Sequence, residues 1–328
     1  MAIRLRKSKG NKMASASFSV SAPGSIMLLG EHAVLHGYPA LVCAINRRLT
    51  VTLIPRPDNQ IHLHSDRLGE YTCSRFQITP SPPFQFILAS IKHFESQLSC
   101  GFDLSIQSEF SDKVGLGSSA AVTVATLAVL QRWLINTINP EIIYQLGYEV
   151  IQTVQGIGSG ADIAASVFGS VLYYRRDPLE IKSSPFFPTI SLVYVGYKTP
   201  TPVVVNHVLE NAKKNPKKFN SLYHLIGTCA EAGALAIKQE HWQQLGEIFN
   251  QHYQLQCALG VSDAIIESII NKIQQSPSIQ GCKISGSGLG DCVIALGKLN
   301  ADDFNAPQQL INIEITATGL RDETPTHR

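Results

Sequence analysis

Charge is scarce in this chain. Lys, Arg, Asp and Glu make up 16% of its 328 residues, 27 basic against 25 acidic, for a net charge of +2. The basic residues form no long stripe, so nothing argues for a nucleic-acid or acidic-membrane partner, whose binding rests on many phosphates neutralised at once. The seven cysteines (Cys43, Cys73, Cys100, Cys229, Cys257, Cys282 and Cys292) contain no C-x-x-C pair. Odd in number and scattered, they suggest neither a zinc site nor a disulfide framework, and free thiols in a reducing cytosol are expected. No uninterrupted apolar run reaches the ~18–20 residues that cross a bilayer. The opening MAIRLRKSKGNK is basic but lacks the apolar stretch of a secretory signal. Repeats, low-complexity tracts, a G-x-S-x-G elbow and a cysteine with an evident histidine partner are all missing.

What the chain has is apolar residues, 44% of the total, which excludes a largely disordered protein and allows sizeable cores. Its length favours roughly two domains. A flexible basic leader is expected at 1–15, an N-terminal domain at 16–182 and a C-terminal domain at 189–320, with a loose tail after that. The proline-rich stretch from Pro178 to Pro188 is the linker candidate. Apolar periodicity predicts strands near 17–22, 41–54, 102–107, 170–175, 190–197 and 310–317, and a strand–turn–strand over 281–297. Helices are predicted over 84–98, from Ala120 onward, over 141–155, and across 203–275 with breaks near Pro216, His241 and Gly260. Pro23-Gly24 and His36-Gly37 read as turns.

Three glycine-rich segments stand out. In Gly115-Leu116-Gly117-Ser118-Ser119-Ala120 the glycines let backbone approach an anion, and the serines can cap the helix that follows. No acidic residue occurs from Ala120 through Gln131 to answer the helix dipole, and Lys113 stands just before the loop. This suits phosphate; an ordinary capped core helix is the competing reading. It is not a Walker A loop, because no Gly-Lys-Ser/Thr follows at the required spacing. In Gln155-Gly156-Ile157-Gly158-Ser159-Gly160-Ala161-Asp162 the carboxylate can accept the proton of an attacking hydroxyl or cap the next helix. The third, Lys283-Ile284-Ser285-Gly286-Ser287-Gly288-Leu289-Gly290-Asp291, reads as a hairpin or as a loop packed against a ligand. His62 and His64 share a strand face but have no further ligand nearby; Trp133 and Trp242 read as packing.

The order Ala22-Pro23-Gly24 to Gly30-Glu31-His32, then the GLGSSA loop, then Ser159-Gly160-x-Asp162, then the late Ser285-to-Cys292 loop resembles the GHMP small-molecule kinases. The matching segments run from residue 21 to about 297. Within that family the first segment and Ala258-Leu259-Gly260-Val261-Ser262 are most similar to mevalonate kinases, whereas Lys113 with its loop and Asp162 with its glycines resemble phosphomevalonate kinases. The resemblance implies an α+β fold of two domains, the first related to the second domain of ribosomal protein S5 and the second ferredoxin-like, with the active site between them. It implies ATP and Mg²⁺ as cofactors, with no nucleic acid and no membrane, in a cytoplasmic enzyme that forms a homodimer.

By the same resemblance, Asp162 is the catalytic aspartate, with Lys113 and Lys198 supplying positive charge. Lys113, Gly115, Leu116, Gly117, Ser118, Ser119 and Ala120 hold the ATP phosphates. Ser25, Glu31, His32, Thr201, Gly286 and Ser287 line the substrate pocket, and Ser118 or Ser119 lies near the metal, whose shell Glu149 or a water is expected to complete. Three positions depart from the family pattern. The basic residue usual after Ala-Pro-Gly is Ser25; the metal-binding glutamate eleven positions before Asp162 is Ile151; and the family arginine is missing from Lys198-Thr199-Pro200-Thr201. The expected reaction is phosphorylation of mevalonate to 5-phosphomevalonate. The alternatives are phosphomevalonate kinase, a sugar kinase, and a non-catalytic relative that only binds ligand.

Overall fold

The computed structural model describes residues 16–111, 114–300, 304 and 308–325; the leader expected at 1–15 and Lys113 lie outside them. The chain folds as α+β around two sheets.

The first sheet has the order β12-β1-β2-β5-β3-β4, with β6 on β2 and β7 beyond it. Its strands are β1 (Phe18–Leu29), β2 (Ala40–Pro55), β3 (Gln60–Ser65), β4 (Gly69–Ser74), β5 (Phe102–Ser108), β6 (Val171–Arg175), β7 (Glu180–Ser184) and β12 (Arg321–Asp322). β2 is long enough to serve two partners: residues 40–43 pair with β6 and 49–55 with β5. β3 and β5 run parallel.

On this sheet sit α1 (Gln85–Lys92), α2 (Ser118–Ile135), α3 (Pro140–Gln155) and α4 (Ala161–Phe168). α2 is buried from Ala120 through Gln131, as an all-round apolar sequence requires. It is the one described helix long and apolar enough to cross a bilayer, and here it is the core helix against β1 and β2.

The second sheet, order β11-β8-β10-β9, is antiparallel. It consists of β8 (Ile190–Tyr194), β9 (Ile279–Ser285), β10 (Cys292–Gly297) and β11 (Gln309–Ile311), accompanied by α5 (Thr201–Lys214), α6 (Pro216–Lys238), α7 (Trp242–Leu259) and α8 (Ala264–Gln274). The helix breaks fall at Pro216, His241 and Gly260, where the sequence puts them. The two sheets share apolar packing: Cys229, Leu245, Phe249 and Ile294 belong to the same core as β1 and α2. Glycines permit this approach on α6, where a Cβ at Gly233 would lie 2.3 Å from Leu29 Cδ1.

Several expectations are corrected. Ala22-Pro23-Gly24 is not a turn; β1 runs through it, with a bulge between Pro23 and Ser25 that absorbs the proline. The linker stretch contains β7, which pairs with β6 as a hairpin. The last strand is shorter than 310–317, since β11 ends at Ile311 and Ile315 instead bridges Ile45 of β2.

Through Pro325 the tail is not loose. From Ile313 onward it returns to the first sheet. Thr316 exchanges backbone bonds with Ala44 and Ser170, and β12 pairs with β1. Arg48 holds this return. Its Nη2 donates to Gly319 O at 2.7 Å and Ser21 O at 2.9 Å, and its Nε to Ser21 Oγ at 2.8 Å. Arg48→Ala strips charged donors from part-buried carbonyls, so it should cost about 1–3 kcal/mol. Urea unfolding checks this; an unchanged midpoint would mean that the tail docks without the arginine.

Candidate active site

The first wall of the site is the start of α2. Gly115 and Gly117 adopt φ values of +64° and +68°, a left-handed backbone that favours glycine. Gly117 is the N-cap, neither Ser118 nor Ser119 caps the helix through its side chain, and the first turn holds no acid. The serines therefore do not have the capping role the sequence suggests. With no side-chain cap, the N–H groups of the first turn and the positive end of the helix dipole are left for an anion. Leu116 turns the other way: its side chain is buried in the core and its carbonyl accepts the Ser25 N–H at 3.1 Å.

Ser25, on β1, faces the loop and the next helix together. Its hydroxyl donates to Asp162 Oδ1 at 2.8 Å. A Cβ at Gly117 would fall 2.0 Å from Ser25 Oγ, so only glycine leaves room for this bond. Asp162 lies in the first turn of α4, whose N-cap is Gly160 with no side-chain cap, which disposes of the capping reading. Burial pushes the Asp162 carboxyl above the ordinary aspartate value, while the Ser25 hydrogen bond and the charge of Lys198 pull it back.

The opposite wall comes from the second sheet. The β9–β10 connection carries Gly286, Gly288, Leu289, Gly290 and Asp291 at positive φ. The Leu289 N–H donates to Val261 O at 2.8 Å and the Asp291 N–H to Tyr197 O at 3.0 Å. Asp291 is 5% exposed and sits 3.9 Å from Lys198 Nζ, measured at Oδ1. Burial raises its carboxyl to about 6, with Lys198 opposing the rise and Asp162 adding to it.

Beneath the cleft is a buried polar cluster. Glu31 Oε1 pairs with Lys283 Nζ, and Glu31 Oε2 lies 3.4 Å from His252 Nε2. Burial drives the glutamate up and the lysine down, and each restrains the other. The Gly30 N–H donates to His252 Nε2 at 3.1 Å, so that nitrogen is an acceptor and the ring is neutral. Burial and nearby Lys283 hold its pKa well below the usual histidine value. His32 Nε2 meets Ser287 O at 2.8 Å and Ser285 Oγ donates to Met27 O at 3.0 Å, both across the seam between the sheets.

One cavity of about 190 Å³ gathers these groups. Ser25, Glu31, His32, Gly115, Gly117, Ser118, Ser119, Ala120, Asp162, Lys198, Thr201, Gly286 and Ser287 all line it. Two candidates do not. Leu116 is core, as above, and Glu149 points out of α3 with a 60% exposed side chain, its Oε2 3.9 Å from His93 Nδ1. Ile151, two residues on, lines the cleft instead, since a shift of two positions turns a helical side chain to another face.

Lys283, His252 and Asp291 are not among the sequence-based candidates. The first and last stand in the quoted third glycine segment, but only the fold shows that they turn inward. His252 sits mid-helix with no motif around it.

The description "GHMP kinases N terminal domain" matches residues 85–170, "GHMP kinases C terminal" matches 234–312, and "Galactokinase galactose-binding signature" matches 8–55. The chain is 32% identical to the mevalonate kinase of Archaeoglobus fulgidus, over 85% of this chain and 92% of that one. It is 30% identical to the mevalonate kinase of Aeropyrum pernix, over 85% and 88%. The chain belongs to the GHMP kinases. The fold of the Methanococcus jannaschii mevalonate kinase agrees, at 22% identity and a TM-score of 0.76, covering 93% of this chain and 99% of that one.

As a GHMP kinase it uses ATP, and a second cavity of about 250 Å³ adjoins the first. Ser118, Ser119 and Lys198 line both, while Phe84, Phe86, Phe110, Arg67 and Gln85 surround the second. Among the described residues no cluster of three metal-ligating side chains occurs.

Gly117→Ala should leave the kinase folded but disturb the Ser25–Asp162 contact. Activity falling at least tenfold with a thermal midpoint lowered by only a few degrees is the expected result; full activity would show that the loop gives way. Asp162→Asn bears on stability. A folded-state pKa above the unfolded value means that the native state binds the extra proton, so stability is lost as pH rises through that window. At pH 8 the amide should therefore raise the thermal midpoint, by roughly 2–4 °C per kcal/mol relieved, and the gain should shrink toward pH 4. A midpoint lowered at pH 8 would contradict this.

Proposed function

We propose that this kinase transfers the γ-phosphoryl group of ATP to the 5-hydroxyl of mevalonate, giving 5-phosphomevalonate. The observation that carries the reading is that the buried carboxylate of Asp162 shares one cleft with the uncapped start of α2. In this reading the first-turn N–H groups and Lys198 hold the phosphates, and the aromatic second cavity takes the nucleoside. Asp162 receives or orients the substrate hydroxyl. Positioning and charge stabilisation supply most of the rate in such transfers. Met27, Leu35, Ile151 and Val205 offer hydrocarbon walls to a branched aliphatic acid, and the mevalonate kinases among the relatives support the choice of substrate.

Ser25 stands where the family carries a cation, so here the aspartate is steadied by a hydroxyl while the charge comes from Lys198. Mg²⁺ fits the donor set. Hard oxygen ligands suit it, and nucleotide phosphates commonly complete its shell with only one or two protein groups. The Ser118 and Ser119 hydroxyls line the cleft to provide them. When bound, Mg²⁺ would neutralise charge on the phosphate oxygens. The family resemblance extends the proposal to a cytosolic homodimer.

A second reading is a sugar kinase, favoured by the galactose-binding signature over residues 8–55. Phosphomevalonate is the third substrate to try. ADP release measured with mevalonate, phosphomevalonate and galactose side by side should show turnover with mevalonate. Turnover with either of the others names that substrate instead, and binding without turnover would make the protein a sensor. Asp162→Asn should lower kcat by about 10²–10⁴-fold; near-normal turnover would remove Asp162 from the chemistry.

A further inference from the structure

The resemblance puts a metal-binding glutamate at position 151, where the chain has Ile151 lining the cleft, and Glu149 faces away from it. The cleft nevertheless holds another acid. Asp291 reaches it from the second sheet, and its backbone is pinned on both sides: its N–H donates to Tyr197 O and its carbonyl accepts the Val195 N–H, each at 3.0 Å. The carboxyl group lies against the phosphate loop, so close that a Cβ at Gly115 would stand 2.8 Å from Asp291 Cγ. Its Oδ1 is buried and, among the described residues, accepts no hydrogen bond.

Charge makes this placement informative. Lys283 answers Glu31, which leaves Asp162 and Asp291 facing one described cation, Lys198, in a cleft that takes ATP. A carboxylate pressed against a phosphate-binding loop repels its ligand unless a cation lies between them. We propose, building on the kinase reading, that Asp291 is the carboxylate that ligates the divalent cation of the bound nucleotide, in place of the glutamate lost at position 151. The donor set is then a carboxylate from the second sheet with the serine hydroxyls of α2 and the phosphate oxygens.

The test is binding, not turnover. Free Mn²⁺ is followed by electron paramagnetic resonance as it is titrated into the full chain with a non-hydrolysable ATP analogue, and analogue affinity is measured separately in EDTA. Asp291→Asn keeps the shape, and asparagine accepts the positive φ of +62° found there. It should weaken Mn²⁺ in the ternary complex by about tenfold or more, as loss of a ligand implies. In EDTA it should bind the analogue as tightly as wild type or tighter, because a repelling charge is gone.

A residue that merely held Lys198 in place would produce no such opposite pair of effects. Ile151→Glu added to Asp291→Asn should restore Mn²⁺ binding. Mn²⁺ affinity unchanged in Asp291→Asn, or nucleotide affinity in EDTA falling in step with it, overturns the assignment. Wild-type protein that binds no analogue overturns the kinase reading along with it.

Discussion

Everything at the site depends on how closely β1 lies between two helix starts. Ser25 gives its N–H to the loop before α2 and its hydroxyl to the first turn of α4, and it does so only because Gly117 has no side chain. The register of β1 against β2 shifts here, from Pro23 opposite Arg48 to Ser25 opposite Ala44, with the extra residues on β2. The phosphate loop, the acid and the strand are thus fixed by one small residue. Ser166 Oγ, donating to Pro23 O at 2.9 Å, ties α4 to the same spot.

The second constraint is charge kept out of water. Glu31 and Lys283 are both buried, and neither could be tolerated alone, since an unpaired buried ion is far costlier than a paired one. They come from different sheets, so the pair forms only when the two halves are docked. His252 remains neutral beside them because a backbone N–H occupies its acceptor nitrogen. The cost of this cluster is offset by fixing the seam that the cleft needs, together with the His32–Ser287 and Ser285–Met27 bonds.

Much of this was legible in the sequence. Glycines, a following apolar run and an absence of acids marked the α2 start as a candidate, whereas the residues around Asp162 left base and helix cap open and only the family resemblance chose between them. Both signals are local, because positive φ and an unanswered helix dipole are properties of a few consecutive residues. Asp291 and His252 were not legible, since their importance comes from neighbours tens to hundreds of positions away. The tail was missed for the same reason. RDETPTHR is polar and aperiodic, and nothing nearby reveals that the edge of β1 awaits Arg321 and Asp322, or that Arg48 holds the residues just before them. The turn expected at Pro23-Gly24 failed because a bulge accommodates proline within a strand as well as a turn does.

Two of the three departures from the family pattern that the resemblance implies belong together. Ser25 and Ile151 face the same cleft from β1 and α3, so the first half of the chain has given up one positive and one negative group, leaving its net contribution unchanged. In the proposed reading the groups that answer them are Lys198 and Asp291, which flank the second sheet's strands and lie 3.9 Å apart. A swap of only one partner would unbalance a poorly solvated cleft by a full charge, whereas moving both preserves the balance. In the proposed mechanism this makes the charged machinery a product of docking the two halves. The first sheet alone presents Asp162 and an open helix start, and the second brings the cation and the additional acid that let a polyanion settle there.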